Sequence, residues 1–391
     1  MTPLDTYLAG KWQRPVPDDV PRLADVLSGF ELHAAVGPVR ALDLASMDNS
    51  IEIIRLGGEL GLIFDHNYFA YVGDLLTCFL VDDSDEQHQH LNYVVNRFLL
   101  EESLQFNADE LTAGLLHTVL LQDSEGLNPL GCPNFPGAKD VRTALTKVSD
   151  FQFRLFVAHE VGHVLAASQP RARGLAARRL MRLVEGLEGD SATRETHPND
   201  TARDEVLTPT PAELRTWLHA LDAAAPVDPL LEEFLCDNIA AEALGAAAAR
   251  SSAEVALVAD DLVFAIDAAF LLMWFLEALR FRIAALFDDD SGLLDTGPGS
   301  ARARGHYFAF QFLLSYLAAS GRSVEEISRD VEASARRADD LMAWLAENLE
   351  AAQSDANLEG VVKLGARSCV AYGVNGGRLH ASVRRALGWP G

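Results

Sequence analysis

Phe151–Ser168 reads FQFRLFVAHEVGHVLAAS, an apolar, helix-compatible run with His159-Glu160-Val161-Gly162-His163 at its centre. Phe151, Leu155, Phe156, Val164 and Leu165 recur at helical spacing around the motif. Residues four apart on a helix share a face, so His159 and His163 can present two imidazoles, one turn apart, to one Zn²⁺. Two neutral nitrogen ligands suit this borderline ion, and an open coordination position separates a catalytic site from a structural one. Glu160 stands beside them as general base for a zinc-bound water. Gly162 costs a mid-helix position about 1 kcal/mol relative to Ala, which predicts that another segment approaches closely there. The bland alternative is a surface helix with two incidental histidines. The apolar flanks argue against it, because they would bury the pair.

A third ligand has to come from elsewhere. Leu230–Leu244, LLEEFLCDNIAAEAL, is a second helical pattern that mixes apolar residues with carboxylates. Glu233 and Asp237 share a face of it. Glu233 is the candidate to complete a His, His, Glu set. Asp237 is placed to accept the free N–H of a ligand imidazole, fixing its tautomer and raising its basicity. Glu232 points about 100° away and is the reserve ligand.

H-E-x-x-H followed by E-x-x-C-D on a later helix resembles the gluzincin metallopeptidases, with the HtpX-like and ImmA/IrrE-like peptidases as the nearest patterns. That resemblance covers two short segments. It implies a zincin-like fold in which His159, His163 and Glu233 bind zinc, Glu160 is the base and Asp237 supports a ligand. The gap from His163 to Glu233 suits the HtpX-like arrangement better. Cys236 stands where alanine is usual. HtpX-like proteins also carry a His-Pro-Pro…Arg segment after the third-ligand helix. Here Gly297 replaces the His and Pro298 matches. Arg304, His306 and Tyr307 follow the turn DTGPGS and are the candidate oxyanion stabilisers, since a tetrahedral intermediate needs a donor.

Size and charge bound the rest. The chain has 391 residues and 49% apolar content, enough for a large core. A net charge of −25 disfavours nucleic acid and anionic membrane surfaces as partners. Cys78, Cys132, Cys236 and Cys369 are widely spaced and read as reduced thiols of a cytoplasmic protein. The first residues, MTPLDTYLAGKWQRP, show no signal-peptide pattern. The most hydrophobic stretch, Val255–Phe287, is interrupted by Asp260, Asp261, Asp267, Glu277, Arg280 and Arg282. Its uncharged runs fall short of the roughly 20 residues a membrane span needs, so a buried core helix is expected.

The expected fold is α+β and mainly helical, with a small N-terminal sheet. Strands are expected between 30 and about 81, in FELHAAV, IEIIRL and GELGLIFD, the last two pairing antiparallel through Gly57-Gly58. Helices are expected over 86–105, 108–122, 141–169, 172–187, 211–222, 228–250, 253–287, 301–320 and 323–354. Three regions follow: a β-containing part over 1–125, the catalytic core over 126–250 and a helical part over 251–391. Gly126–Lys139 reads as a loop forming one wall of the cleft. Glu185–Pro211 reads as a solvated loop between the motif and the third ligand. The arginines of Arg171–Leu183 read as one solvated face of an amphipathic helix. His117, His197 and His219 lack ligand spacing. Cys132 reads as a free structural thiol.

The sequence therefore points to a zinc-dependent peptidase acting on a peptide or protein substrate. The competing reading is a zincin-like sensor or regulatory module that binds a protein partner with little or no proteolysis. The intact Glu160 favours the enzyme, because a structural site needs no base.

Overall fold

The computed structural model describes residues 39–44, 51–56, 59–81, 84–105, 109–124, 130–191, 209–221, 227–251, 259–286, 298–353 and 360–367. Most are helical, joined to one small N-terminal sheet. The sheet holds β1 (Val39–Leu44), β2 (Ile51–Leu56) and β3 (Glu59–Asp65) in the order β1-β3-β2. β2 and β3 pair antiparallel with Ile53 opposite Leu62, as the flanking pattern predicts; β1 runs parallel to β3. β3 is the central strand and is buried along Leu60–Asp65, while β2 is only half-buried. The expected strand FELHAAV lies outside the described residues, and β1 follows it.

The helices are α1 (His66–Leu80), α2 (Asp85–Gln105), α3 (Asp109–Ser124), α4 (Ala138–Ser168), α5 (Pro170–Ser191), α6 (Pro211–Ala220), α7 (Pro229–Ser251), α8 (Ala259–Leu286), α9 (Pro298–Ser320) and α10 (Val324–Gln353). Residues 360–367 are also helical. Two expectations need correction. Residues 66–80 are helical, although their aromatic content reads as strand. Asp65 ends β3 and caps α1, its carboxylate accepting from Asn67 N at 2.8 Å. Residues 185–191 belong to α5 where a solvated loop was expected, and 192–208 lie outside the described residues. Beyond them Thr210 and Glu213 form a capping box that starts α6.

α4 and α8 occupy the centre. α4 is buried almost continuously from Phe151 to Ala166. α8 is apolar on every side and packs against α1, α2, α4, α9 and α10. Its stretch Asp261–Phe281 is long and apolar enough to cross a membrane by length and composition, and most of it is buried within this chain. One buried cluster runs from Leu62 and Phe64 of β3 through Phe156, Phe234, Phe270 and Phe312 to Leu345 of α10. It draws on all three regions expected from sequence. Each such side chain contributes about 1.5–3 kcal/mol on burial. α5 turns Ala176, Leu180 and Val184 inward and leaves Arg171, Arg178 and Arg182 exposed, as its pattern predicts.

A polar anchor fixes the start of α4. Buried Asp74 of α1 accepts from Arg142 at 2.5 Å, from Gly131 N at 2.8 Å and from His90 at 3.2 Å. It ties the segment before α4 to α1. That segment was expected to wall the cleft. Its Cys132, Pro133 and Asn134 instead line a separate cavity with Phe69, Arg142 and Phe153.

Candidate metal centre

α4 and α7 cross at Gly162. A Cβ built there would lie 2.8 Å from the carbonyl oxygen of Cys236 and 3.1 Å from its Cα. The glycine therefore lets the two helices touch backbone to backbone, which answers its cost in mid-helix. The crossing sets His159 and His163 of α4 opposite Glu232, Glu233 and Asp237 of α7.

The two imidazole Nε2 atoms lie 3.1 Å apart. His159 Nε2 is 3.2 Å from Glu233 Oε2, and His163 Nε2 is 3.3 Å from Glu233 Oε1. The ligand atoms of these three residues all lie within 4.8 Å of one another. Tetrahedral ligands about 2.05 Å from zinc would be roughly 3.3 Å apart, so the two nitrogens and a Glu233 oxygen have the chemistry and approximate spacing to hold the ion. The outer nitrogens are also held. His159 Nδ1 donates to Asp237 Oδ1 at 2.7 Å, and His163 Nδ1 donates to Glu232 Oε1 at 3.4 Å. Each contact makes Nδ1 the outward donor, so Nε2 is the nitrogen that a metal would take in place of its proton.

Glu232 was the reserve ligand by sequence. Its carboxylate meets the outer nitrogen of His163 and orients that ring. A second donor group, His163, Glu232 and Cys236, is also close enough to hold an ion. Cys236 suits it poorly. Burial pushes its thiol well above the usual range, and Glu233, Asp237 and Glu232 push it further, whereas a metal needs the thiolate.

Arg304, a candidate oxyanion stabiliser by sequence, packs against the carboxylates of α7. Its guanidinium is buried and committed: Nε donates to Asp237 Oδ2 at 2.7 Å, Nη2 to Asp237 Oδ1 at 3.2 Å, and Nη1 lies 3.0 Å from Glu233 Oε2. It braces the carboxylates behind the ligands. His306 is exposed on another face of α9, against Phe310. Tyr307 is buried edge-on against Phe234. Neither lines the two cavities at the motif. His117 and His219 are exposed, away from the centre, and His197 lies outside the described residues.

The electrostatics follow from these contacts. Burial alone would lower His159, but the Asp237 carboxylate and then Glu233 outweigh it and hold the imidazole up to about 10. Burial would raise Glu233 and Asp237. Arg304, with the imidazoles, pulls both below the usual carboxylate range. Glu160 behaves differently. Burial pushes it up, the imidazoles of His159 and His163 pull the other way, and burial prevails. A raised carboxyl is a stronger base, poised nearer neutral pH.

Glu160 also stands where two cavities meet. The outer one, about 780 Å³, is lined by Ile51–Arg55 of β2 together with His159, Glu160, His163 and Glu233. The inner one, about 240 Å³, is lined by Tyr68, Phe270, Met273, Glu277 and Arg280 as well as His159, Glu160 and Glu233. Sequence reasoning missed Glu277 and the bracing role of Arg304, whereas the β2 wall comes from the strand region expected to supply a sheet beside the motif helix. A signal existed for the charged ones. Glu277 and Arg280 interrupt the most apolar run of the chain, where each charge demands a partner or a purpose.

Comparison with protein-family models, with curated proteins and with solved structures found no match to this chain.

Proposed function

We propose that this chain is a zinc metallopeptidase of the gluzincin type, with a zincin-like core. The observation that carries the reading is the triangle of His159 Nε2, His163 Nε2 and the Glu233 carboxylate, at edges of 3.1, 3.2 and 3.3 Å. Its edges are those of a tetrahedral zinc site, with Glu160 beside it. When bound, Zn²⁺ would supply Lewis-acid polarisation of a carbonyl and lower the pKa of water at the site.

The residues of the chain do the remainder. Glu160 takes the proton from the attacking water and returns it to the departing amine. Asp237 and Glu232 hold the two imidazoles in place, and Arg304 keeps Asp237 and Glu233 ionised. β2 is at the edge of its sheet and lines the outer cavity. An extended peptide could pair with that edge and lay its backbone across Glu160, which favours a peptide as substrate.

The test is metal content of the purified protein by elemental mass spectrometry, on wild type and Glu233→Ala in parallel. About one zinc per chain is expected, lost or greatly weakened in the variant. Glu160→Gln should keep the metal and lower peptide hydrolysis by about 10²–10⁴-fold. A folded protein that takes up no zinc after reconstitution would overturn the reading in favour of a metal-free binding module. Full turnover in Glu160→Gln would remove that residue as the base.

A further inference from the structure

Glu277, beside the centre, has a carboxylate oxygen that no donor reaches. Its Oε2 is shut off from solvent and has no hydrogen-bond partner. The residue is half-buried overall and lines the inner cavity, so its remaining surface opens there. The neighbouring cations do not serve it. Arg280 is held by two hydrogen bonds of 2.8 Å to buried Glu102. Arg304 is held by Asp237 and Glu233. A buried carboxyl without a donor costs stability and marks a place where a ligand can supply one.

The surroundings say what that ligand is. Ile51, Phe156, Phe270, Met273 and Leu276 make most of the cavity wall apolar. At about 240 Å³ it is far larger than the roughly 30 Å³ a water takes up, and it reaches the motif at Glu160. Of the carboxylates on this wall, Glu233 and Asp237 are committed to Arg304 and the imidazoles and Glu160 to the reaction, so Glu277 is the one left for a ligand, and the apolar stretch beside it fits an aliphatic stem that ends in a compact cation. A guanidinium fits less well, because its planar fork is bulkier than an ammonium and would crowd Arg280 and Arg304, which are already held by Glu102, Asp237 and Glu233.

We infer that the inner cavity is a specificity pocket that receives a lysine side chain of the substrate beside the cleaved bond, with Glu277 accepting from its ammonium. The inference rests on the peptidase reading for its setting, while the pocket chemistry can be measured without turnover. A charge-assisted hydrogen bond in such a pocket corresponds to about tenfold or more in affinity.

Two readouts test it. The first is binding of N-acetyl-lysine methylamide to zinc-reconstituted Glu160→Gln, against the norleucine and glutamine counterparts, by isothermal titration or ligand-detected NMR. The lysine compound should bind about tenfold more tightly than norleucine, and adding Glu277→Gln should abolish that difference. Glu277→Gln keeps the shape and removes the carboxylate that an incoming ammonium would ionise and pair with, so the fold should hold; a melting curve checks this. The second readout is mass-spectrometric profiling of a mixed peptide library cut by wild type and by Glu277→Gln. Cuts should lie next to lysine, and the variant should lose that preference. Norleucine or glutamine binding as tightly as lysine, or discrimination unchanged in Glu277→Gln, would overturn the pocket. Lysine-selective binding with no peptide ever cut would leave the pocket standing and count against the peptidase reading alone.

Discussion

Glu233 and Asp237 lie one turn apart on α7, and Glu277 lies across the inner cavity on α8. Burial acts on all three in the same direction and raises their proton affinity. The outcomes are opposite. Arg304 donates to the first two at 3.0 and 2.7 Å, the imidazoles add to it, and both carboxyls are held below the usual range. Glu277 feels Arg304 and Arg280 only across space, and burial pushes it up to about 8. Donors within bonding reach decide the charge of a buried carboxyl, more than depth or net charge nearby. The paired carboxylates belong to the scaffold of the centre, and the unpaired one faces an open cavity.

The largest expected effect comes from breaking the paired side. Arg304→Met would leave Asp237 and Glu233 buried without their cation. The metal-free protein should lose about 3–5 kcal/mol in urea unfolding, because an uncompensated buried charge is costly. A loss below about 1 kcal/mol would mean that the imidazoles alone suffice, and the contrast with Glu277 would shrink to a difference in depth.

A middle-sized effect separates the two imidazole partners. Asp237→Asn should weaken zinc affinity by about 10–100-fold, as loss of a ligand's carboxylate partner usually does. Glu232→Gln should do less. Its side chain is 40% exposed and its contact with His163 is long, at 3.4 Å, against 3% and 2.7 Å for Asp237. Competition with a coloured chelator measures both. Equal losses would show that neither burial nor distance of the partner governs the support given to a ligand.

The two sides were also unequally legible in the sequence. Spacing on single helices placed His159 and His163 on one face, and Glu233 and Asp237 on another. Gly162 predicted a close approach, and Cys236 makes it. The helical boundaries from α2 to α10 follow apolar periodicity and proline and glycine punctuation, so they fell within a few residues of expectation except at the start of α8, where 252–258 lie outside the described residues. What failed needed three dimensions. α1 reads as strand because Tyr68, Phe69, Tyr71 and Phe79 carry sheet propensity, and tertiary packing against Phe98, Phe153, Phe156 and Trp344 overrides it. Arg304 looked like a free donor, because the pairing of residues 67 apart in the chain leaves no local trace. Glu277 was visible as a charge in an apolar run, but its cavity is assembled from β2, α1, α4, α7, α8 and α9 together.

The smallest effect sharpens the unpaired side, and its sign is distinctive. In the metal-free chain Glu277 faces Tyr68 of α1, Glu233 of α7, Arg304 of α9 and Arg280 of its own helix. Below the usual glutamate value of 4.5 its carboxyl is protonated in both the folded and the unfolded chain, and it adds no pH dependence. Between 4.5 and about 8 the folded chain keeps a proton that the unfolded chain has released, so stability falls as pH rises. Above about 8 both states are ionised and the penalty is constant. Asp267, half-buried elsewhere on α8 and raised from 3.8 to about 7, acts in the same direction, so wild type alone would not isolate Glu277. The difference between wild type and Glu277→Gln does. The variant should match wild type near pH 4.5 and exceed it by about 1 kcal/mol at pH 8, because the side chain is only half-buried, which limits the penalty. Urea midpoints across that range measure it. Parallel curves would mean that Glu277 already has a partner, and the pocket would lose the feature that selects a cation.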